Sequence, residues 1–491
     1  MIFSNAFRIK NSTRTVELSI IHCKMSKKTD YEFGGPKGSI GIMIFSHVIL
    51  YLLYHLLGVE NWMPNTFTVA TYVAFIFVEA VFAYILPGVW MQGLTLTNYS
   101  GEKYNLRYLC NGLCSWYCTL VMLAMLHVFG YFDLCWITDN IGRYMTTSII
   151  CANFCSVIIY VWGLIMDDAK VVEQEILDSI DALNETLTKL RAIDVEIPQS
   201  NIESVQNEIE LLYQQLDELR YKNTLTGNHT YDFFMGSILN PRIGILDLKM
   251  FAEIRISWML LFLITTANML KQYQEYGYIS NSMFLIWIAQ TLYTNACMKG
   301  EECIPTTWDI FHEKFGWMLI FWNLSGVPFL YAVQSYYIYT YDISLGRIEF
   351  CILLCILGIA YYIWDTANSQ KNRFRMQRRG TLVQRPWAFP QFSIGTLENP
   401  ETIRTETSEI LIDGWWAVAR KVHYTADLMM ALIWGLSCGF GSFIPYFYFC
   451  FFLTHLLHRA FRDDERCRKK YKDYWVQYCD RVPYMFIPYV Y

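Results

Sequence analysis

The 491-residue sequence is 54% hydrophobic and 17% aromatic, with 17% charged residues and a net charge of −5 at pH 7. Soluble domains carry roughly 25% charged residues, so this composition excludes an ordinary soluble globular protein. The mild negative balance gives no basis for a nucleic-acid partner.

A bilayer core about 30 Å thick needs roughly 20 mostly apolar residues to be crossed by a helix. Ten stretches fit, near 39–57, 67–90, 109–131, 145–166, 251–271, 280–297, 315–339, 347–366, 425–438 and 442–458. Gly439 and Gly441 place a tight turn between the last two. The expected fold class is therefore all-α, a polytopic membrane protein of about ten transmembrane helices. Residues 1–30 are polar and carry Arg8, Lys10, Arg14, Lys24, Lys27 and Lys28, so no cleavable secretory signal is expected and the first span serves as the insertion signal.

The basic runs KNRFRMQRR (371–379) and RDDERCRKK (462–470) contrast with an uncharged turn between spans nine and ten. Positive residues stay on the cytosolic side, which puts 367–424, the tail and, with ten spans, both termini in the cytosol. The sequons at Asn11, Asn98, Asn184 and Asn228 then face the cytosol and stay unglycosylated. The 15 cysteines fall mostly in apolar stretches, with pairs such as Cys110/Cys114, Cys151/Cys155 and Cys351/Cys355 at helical spacing, as for small residues packed between helices.

The resulting organisation is a cytosolic N-terminal segment (1–38), spans one to four (39–166), an inserted acidic segment (167–230), spans five to eight (231–366), a cytosolic loop (367–424), spans nine and ten (425–458) and a cytosolic tail (459–491). Residues 168–220 hold 13 acidic and 4 basic residues, a net of −9 that leaves +4 for the rest of a chain totalling −5. Ile176, Ile180, Leu183, Leu187 and Leu190, and then Ile202, Val205, Ile209, Leu212, Leu216 and Leu219, form two seams of coiled-coil spacing separated by Pro198. A cytosolic coiled-coil-like helical hairpin is the economical reading; the alternative is that the seams pair with a protein partner.

Ionised groups at bilayer depth cost several kcal/mol unless they meet a partner or a cavity, so polar clusters at span ends are where chemistry is sought. Segments 365–375, 411–428 and 458–475 bring Lys371, Arg375, Arg420, Lys421, Arg459, Arg462, Lys469 and Lys470 near Trp415, Trp416 and Tyr424. Cationic forks suit phosphates and aromatic faces suit flat heterocycles, which describes either a dinucleotide site or lysines and arginines resting on lipid headgroups. No GxGxxG follows a strand, so a Rossmann site is not expected. His455 and His458 have HxxH spacing, but two ligands do not make a metal site, and no metal is expected.

The strings NSQKNRFR (368–375), GWWAVARKVHYTAD (414–427) and HRAFRDDERCRKKYKDYWVQYCDRVPYMFIPYVY (458–491) resemble signature blocks of the sterol reductase family, which includes Δ14- and Δ7-sterol reductases, the lamin B receptor membrane domain and Δ24(24¹)-sterol reductases. YEFGGPKGSIG (31–41), YLCNGLCSW (108–116), NPRIG (240–244) and TTWDIFHEKFGWMLIFWNLSGVPFLY (306–331) add to the resemblance, which covers about 31–166 and 231–491 and leaves 168–220 as an insertion. FWNLSGVPF (321–329), His423-Tyr424 and the ending FIPYVY are similar to the Δ24(24¹) branch.

The resemblance implies an NADPH-dependent reductase of sterol carbon–carbon double bonds in the endoplasmic-reticulum membrane, with sterol and lipid as partners. It implies NADPH contacts from Lys371, Arg375, Trp416, Arg459 and Tyr471, with Asn368, Arg420, His423 and Lys470 as secondary contacts, and Asp463 with Tyr293 as the proton-donating pair. Asp463 also stands four residues after Arg459, the spacing of an ordinary helical ion pair. Asp309, His312 and Glu313 lie near one face of the helix entering span seven, where they line a sterol pocket or cap an interface, and Asn323 inside that span is expected to help select the sterol side chain.

Overall fold

The computed structural model describes residues 31–97, 103–165, 168–192, 198–222, 225–385, 388–406 and 408–488. The basic N-terminal residues, Asn11, Asn98, Pro386, the last residues of the FIPYVY ending and the side chain of Leu219 lie outside the described parts.

Helical structure occupies each of the ten expected stretches. Five helices are long and apolar enough to cross a membrane: α1 (Gly35–Leu56), α2 (Thr66–Ile85), α4 (Ile141–Ile165), α7 (Leu248–Tyr276) and α9 (Arg347–Arg379). The apolar α3 (Gly112–Val128) is shorter. Between α4 and α7 come α5 (Asp168–Ala192) and α6 (Gln199–Lys222), and the other long helices are α8 (Asn281–Lys299), α10 (Val422–Leu436) and α11 (Phe447–Tyr471), followed by the short α12 (Asp473–Arg481). Large apolar side chains on the outer faces, among them Ile44, Val48, Phe77, Ile158 and Ile348, are exposed, as a lipid-facing surface requires.

Local chemistry sets the helix ends. Asn65 accepts the Thr68 N–H at 2.8 Å and starts α2, and Ser280 accepts the Met283 N–H at 3.1 Å and starts α8. Gly380, with φ 67°, stops α9 in the left-handed conformation. Segment 317–341 is not one regular helix. Pro328 has no N–H to offer the Leu324 carbonyl four residues back, the backbone widens to a π-helix over Trp322–Leu330, and the Tyr72 hydroxyl donates to that carbonyl at 3.1 Å. A second π segment, Ala252–Ser257, interrupts α7, where the Ser257 hydroxyl donates to the Glu253 carbonyl.

Expecting helix alone missed a β-hairpin. The second helix ends at Ile85, and β1 (Val89–Thr97) pairs antiparallel with β2 (Lys103–Cys110) before α3 begins, with a register irregularity between Gln92 and Thr95. Val89 and Trp90 read as a continuation of span two because they are apolar; their strand pairing with Cys110 and Leu109 is a long-range choice.

Two buried ion-pair clusters lock the helices. Arg255 Nη2 lies 2.7 Å from Glu301 and donates to Asn111 at 2.6 Å, while Asn111 donates to the carbonyls of Phe82, Ala83 and Leu86 at the end of α2. Lys299 meets Asp365 at 2.6 Å and the Pro390 carbonyl at 2.6 Å, and Arg385 pairs with Glu302, so the loop after α9 is fastened to the end of α8.

α5 and α6 pack on each other through Ile180, Leu187, Ile209 and Leu216, flanked by Ile176, Leu183, Ile202, Val205 and Leu212. The two apolar seams face one another within the chain.

Removing one partner of a buried pair strands the other charge at a cost of about 3–5 kcal/mol. Glu301→Ala is therefore expected to lower the thermal midpoint of the detergent-solubilised protein sharply, whereas Arg255→Met combined with Glu301→Leu recovers most of the loss in the same melting assay.

Candidate active site

The loop after α9 folds back onto that helix through its tandem tryptophans. Gly414 has φ 57°, and a Cβ there would meet the Gln370 amide oxygen at 2.6 Å, so the turn needs glycine. Trp415 donates its backbone N–H to Gln370 at 2.9 Å and its indole N–H to Thr366 at 2.8 Å, and Trp416 donates its indole N–H to the Ala367 carbonyl at 3.0 Å. These bonds bury Trp416 under Lys371, whose Nζ stands 4.0 Å from the ring centroid. His423 packs 5.0 Å from the same ring and 4.4 Å from Tyr424.

A cationic cluster surrounds this aromatic floor. Asp463 pairs with Lys421, contacts Arg466 at 2.5 Å and lies within electrostatic reach of Lys371. Arg375 reaches Tyr471 and Asp463. Among the described residues neither Lys371 nor Arg375 has an ion-pair partner of its own, and the buried His423 Nδ1 has no hydrogen-bond partner. Excess positive charge, an aromatic face and an orphaned ring nitrogen fit an anionic heterocyclic ligand such as a pyridine dinucleotide.

The secondary positions divide. Arg420 donates to the Val482 carbonyl at 3.2 Å and, through its backbone, to Tyr484 at 3.0 Å, so it pins the tail beside the site. Asn368 turns back to the Trp364 carbonyl at 2.9 Å, and Lys470 lies exposed, 4.8 Å from the Tyr471 ring. Arg459 is paired with Asp309 at 3.2 Å. Glu313 accepts the Trp308 indole N–H at 2.8 Å, and burial raises its carboxyl above the ordinary range. Asn323 is buried in the π segment next to Trp322, which stacks on Phe451 at 5.2 Å.

The structure does not bring Asp463 and Tyr293 together: among the described residues no hydrogen bond or ion pair joins them. Tyr293 belongs to an aromatic chamber, 4.8 Å from Trp258, 5.0 Å from Trp364 and 6.0 Å from Trp434, which continues through Tyr448 to Tyr331 at 4.3 Å. Asp427, on α10, has Tyr293 and Trp364 as side-chain neighbours. Tyr293, Cys297, Tyr331, Trp364 and Asp427 are half-buried, and Tyr293, Tyr331 and Trp364 pack against the core.

Helical spacing joins chamber and cluster. On α9, Trp364, Lys371 and Arg375 follow one another by seven and four residues; on α10, His423 and Asp427 are four apart. Both helices present one face to the two compartments, and at 1.5 Å per residue His423 and Asp427 are separated by about 6 Å along the axis. Sequence reasoning had not singled out Asp427, Trp364, Tyr331 or Tyr448. The available signals were a carboxylate inside the apolar start of span nine and its four-residue spacing from His423.

The chain belongs to the family described as "Ergosterol biosynthesis ERG4/ERG24 family", matched over residues 5–182 and 202–491. It is thus a member of the sterol reductase family of membrane oxidoreductases. The match runs further into the acidic insertion than the sequence blocks do, leaving 183–201 of that insertion unmatched.

The chain is 36% identical over 493 residues to "Delta(24(24(1)))-sterol reductase erg4A" of Aspergillus fumigatus, covering 94% of this chain and 93% of that protein. It is 36% identical over 499 residues to a "Delta(24(24(1)))-sterol reductase" of Gibberella zeae, covering 94% and 74%. A "Delta(14)-sterol reductase" of Methylotuvimicrobium alcaliphilum is 32% identical over 433 residues, covering 87% and 84%.

Burial pushes the Asp463 carboxyl upward, but Lys421, Lys371 and Arg466 outweigh it and hold the group well below the usual carboxylate range. A depressed folded-state pKa stabilises the fold above the unfolded value, near 4, and the benefit is lost as pH falls toward the folded value. Asp463→Asn is expected to cost on the order of 2 kcal/mol at neutral pH. The difference in thermal midpoint from the wild type should be constant from about pH 8 to about pH 5 and narrow on further acidification.

Proposed function

We propose that this chain is an NADPH-dependent reductase of the 24(24¹) double bond of a sterol side chain, a late step of ergosterol-type biosynthesis. It acts in the endoplasmic-reticulum membrane with ten spans, both termini and the α5/α6 coiled-coil hairpin in the cytosol. The observation that supports this reading is that two helices carry both groups: α9 and α10 bring Lys371 and His423 against Trp416, and Trp364 and Trp434 against Tyr293. Similarity over 94% of the chain to two Delta(24(24(1)))-sterol reductases supports the choice of bond.

In this reading Lys371, Arg375, Arg459 and Tyr471 hold the phosphates and sugars, and Trp416 with His423 flanks the heterocycle. Asp463, ion-paired to Lys421, fixes the cationic cluster. The bound nicotinamide supplies hydride. An isolated alkene does not accept hydride until it is protonated, and protonating the terminal methylene leaves the charge on the more substituted carbon 24. Tyr293 stands at the substrate as proton donor, and the ring faces of Trp258, Trp364 and Tyr448 stabilise the positive charge. Asn323, with Asp309 and Glu313 toward the cytosolic mouth, contributes to sterol selection.

The test incubates membranes containing the protein with NADPH and a panel of Δ7, Δ14 and 24(24¹)-methylene sterols and identifies products by mass. Conversion of the 24-methylene sterol to its saturated counterpart is expected; reduction confined to the ring system would make it a Δ14- or Δ7-reductase. With deuteride-labelled cofactor the label should appear on carbon 24, and finding it on the new methyl group rules out the proposed regiochemistry. Asp463→Asn is expected to raise the KM for NADPH about tenfold or more with a smaller effect on kcat. A loss confined to kcat would assign the proton to Asp463 instead.

A further inference from the structure

We propose that Lys249 is a positioning residue of the cofactor mouth: its buried ammonium fixes the turn 308–313, and that turn holds α11 where Arg459 and Asp463 serve the cofactor. The inference rests on the NADPH-dependent reductase reading above.

Lys249 stands in the first turn of α7 and is fully buried. An ammonium removed from water is retained only where its donors meet acceptors. Its Nζ donates to the carbonyls of Ile310 at 2.9 Å and Glu313 at 2.6 Å. These oxygens lie at the end of a one-turn helix, Trp308–Phe311, and the last carbonyls of a helix have no partner within it. Asn240 adds a second donor to the Ile310 carbonyl at 3.2 Å. The anchor itself is held, because Asp247 accepts the Met250 N–H at 3.0 Å and pairs with Arg242 at 3.3 Å. What the lysine holds is therefore backbone, the path of the chain from Trp308 to Glu313.

The turn in turn grips α11 at two points. Asp309 pairs with Arg459 at 3.2 Å, and the Trp308 ring centroid lies 4.2 Å from the guanidinium carbon of Arg466. The indole is itself oriented, donating to Glu313 at 2.8 Å and packing 3.7 Å from the His312 ring. Arg459 and Arg466 are about 10 Å apart along the helix, two turns on one face, so the two grips set both the height and the rotation of that stretch. Asp463 stands between them, bonded to Arg466 at 2.5 Å and paired with Lys421. The hydrogen bonds of Lys249 go to the turn alone, so its effect on the cofactor groups runs through Trp308 and Asp309.

The experiment compares the wild type with Lys249→Met, Lys249→Gln, Trp308→Leu and the Lys249→Met/Trp308→Leu double variant in membranes. It measures the KM for NADPH and kcat on a 24(24¹)-methylene sterol, together with the thermal midpoint. Lys249→Met and Trp308→Leu are each expected to raise the KM for NADPH about tenfold with a smaller change in kcat. A lysine that only stabilised the fold would lower the thermal midpoint and the amount of active enzyme and leave that KM where it was. Lys249→Gln, whose amide can still donate to a carbonyl, is expected to fall between the wild type and Lys249→Met, and it carries the test if Lys249→Met fails to fold. The double variant should be no worse than the worse single one, because both act through one turn. The proposal is overturned by a wild-type KM for NADPH in a folded Lys249 variant or in Trp308→Leu, or by losses that multiply in the double variant. A wild type that reduces no sterol with NADPH defeats the functional reading and this inference with it, whereas an active wild type whose Lys249 variants keep its KM defeats this inference alone.

Discussion

Charge can be buried at this end of the helix bundle only where it is matched, and the Asp463–Lys421 pair is the match on which the candidate site depends. Asp463 comes from α11 and Lys421 stands just before α10, so the pair joins α11 to the loop that follows α9. The backbone of 420 and 421 then binds residues 484 and 485, which fixes the tail in the same place. Four separate stretches of sequence become one wall. Lys371 and Arg375 crowd the same region and, among the described residues, have no carboxylate paired to them alone.

The inner compartment follows the opposite rule. Trp258, Tyr293, Trp364, Trp434, Tyr331 and Tyr448 come from six segments of the chain and turn rings toward one another. Aromatic rings offer an apolar substrate a close-fitting wall and a developing cation a negative face. Asp427 is the acid set among them. The two compartments therefore differ in chemistry, with the basic side chains of Lys371, Arg375 and Lys421 around the outer one and aromatic rings around the inner one.

The helices that carry these residues are held by pairs elsewhere. Arg255–Glu301 and Lys299–Asp365 bind α7, α8, α9 and the hairpin end of α3 into one frame. The π segments at Ala252–Ser257 and Trp322–Leu330 pack in the interior of that frame, where a wider turn re-aims side chains. α5 and α6 stand apart from this arrangement, closing their apolar seams on each other.

Much of this was legible in the sequence. Runs of apolar residues marked the helical stretches, since lipid forces every backbone polar group to bond internally, and the heptad spacing within 176–187 and 202–216 marked residues that pack together. Lys371 and Trp416 were legible as a cation and an aromatic surface, and the structure stacks them. What the sequence could not decide was which distant groups meet. Helical periodicity is local, whereas the partners of Asp463 lie about forty and ninety residues away in the chain, at Lys421 and Lys371. The β1–β2 hairpin replaced apolar helix for the same reason, because strand pairing is a long-range contact. Tyr293 was legible as a candidate, but its neighbour Asp427 was chosen by the packing of α8 against α9 and α10, which no spacing along the chain encodes.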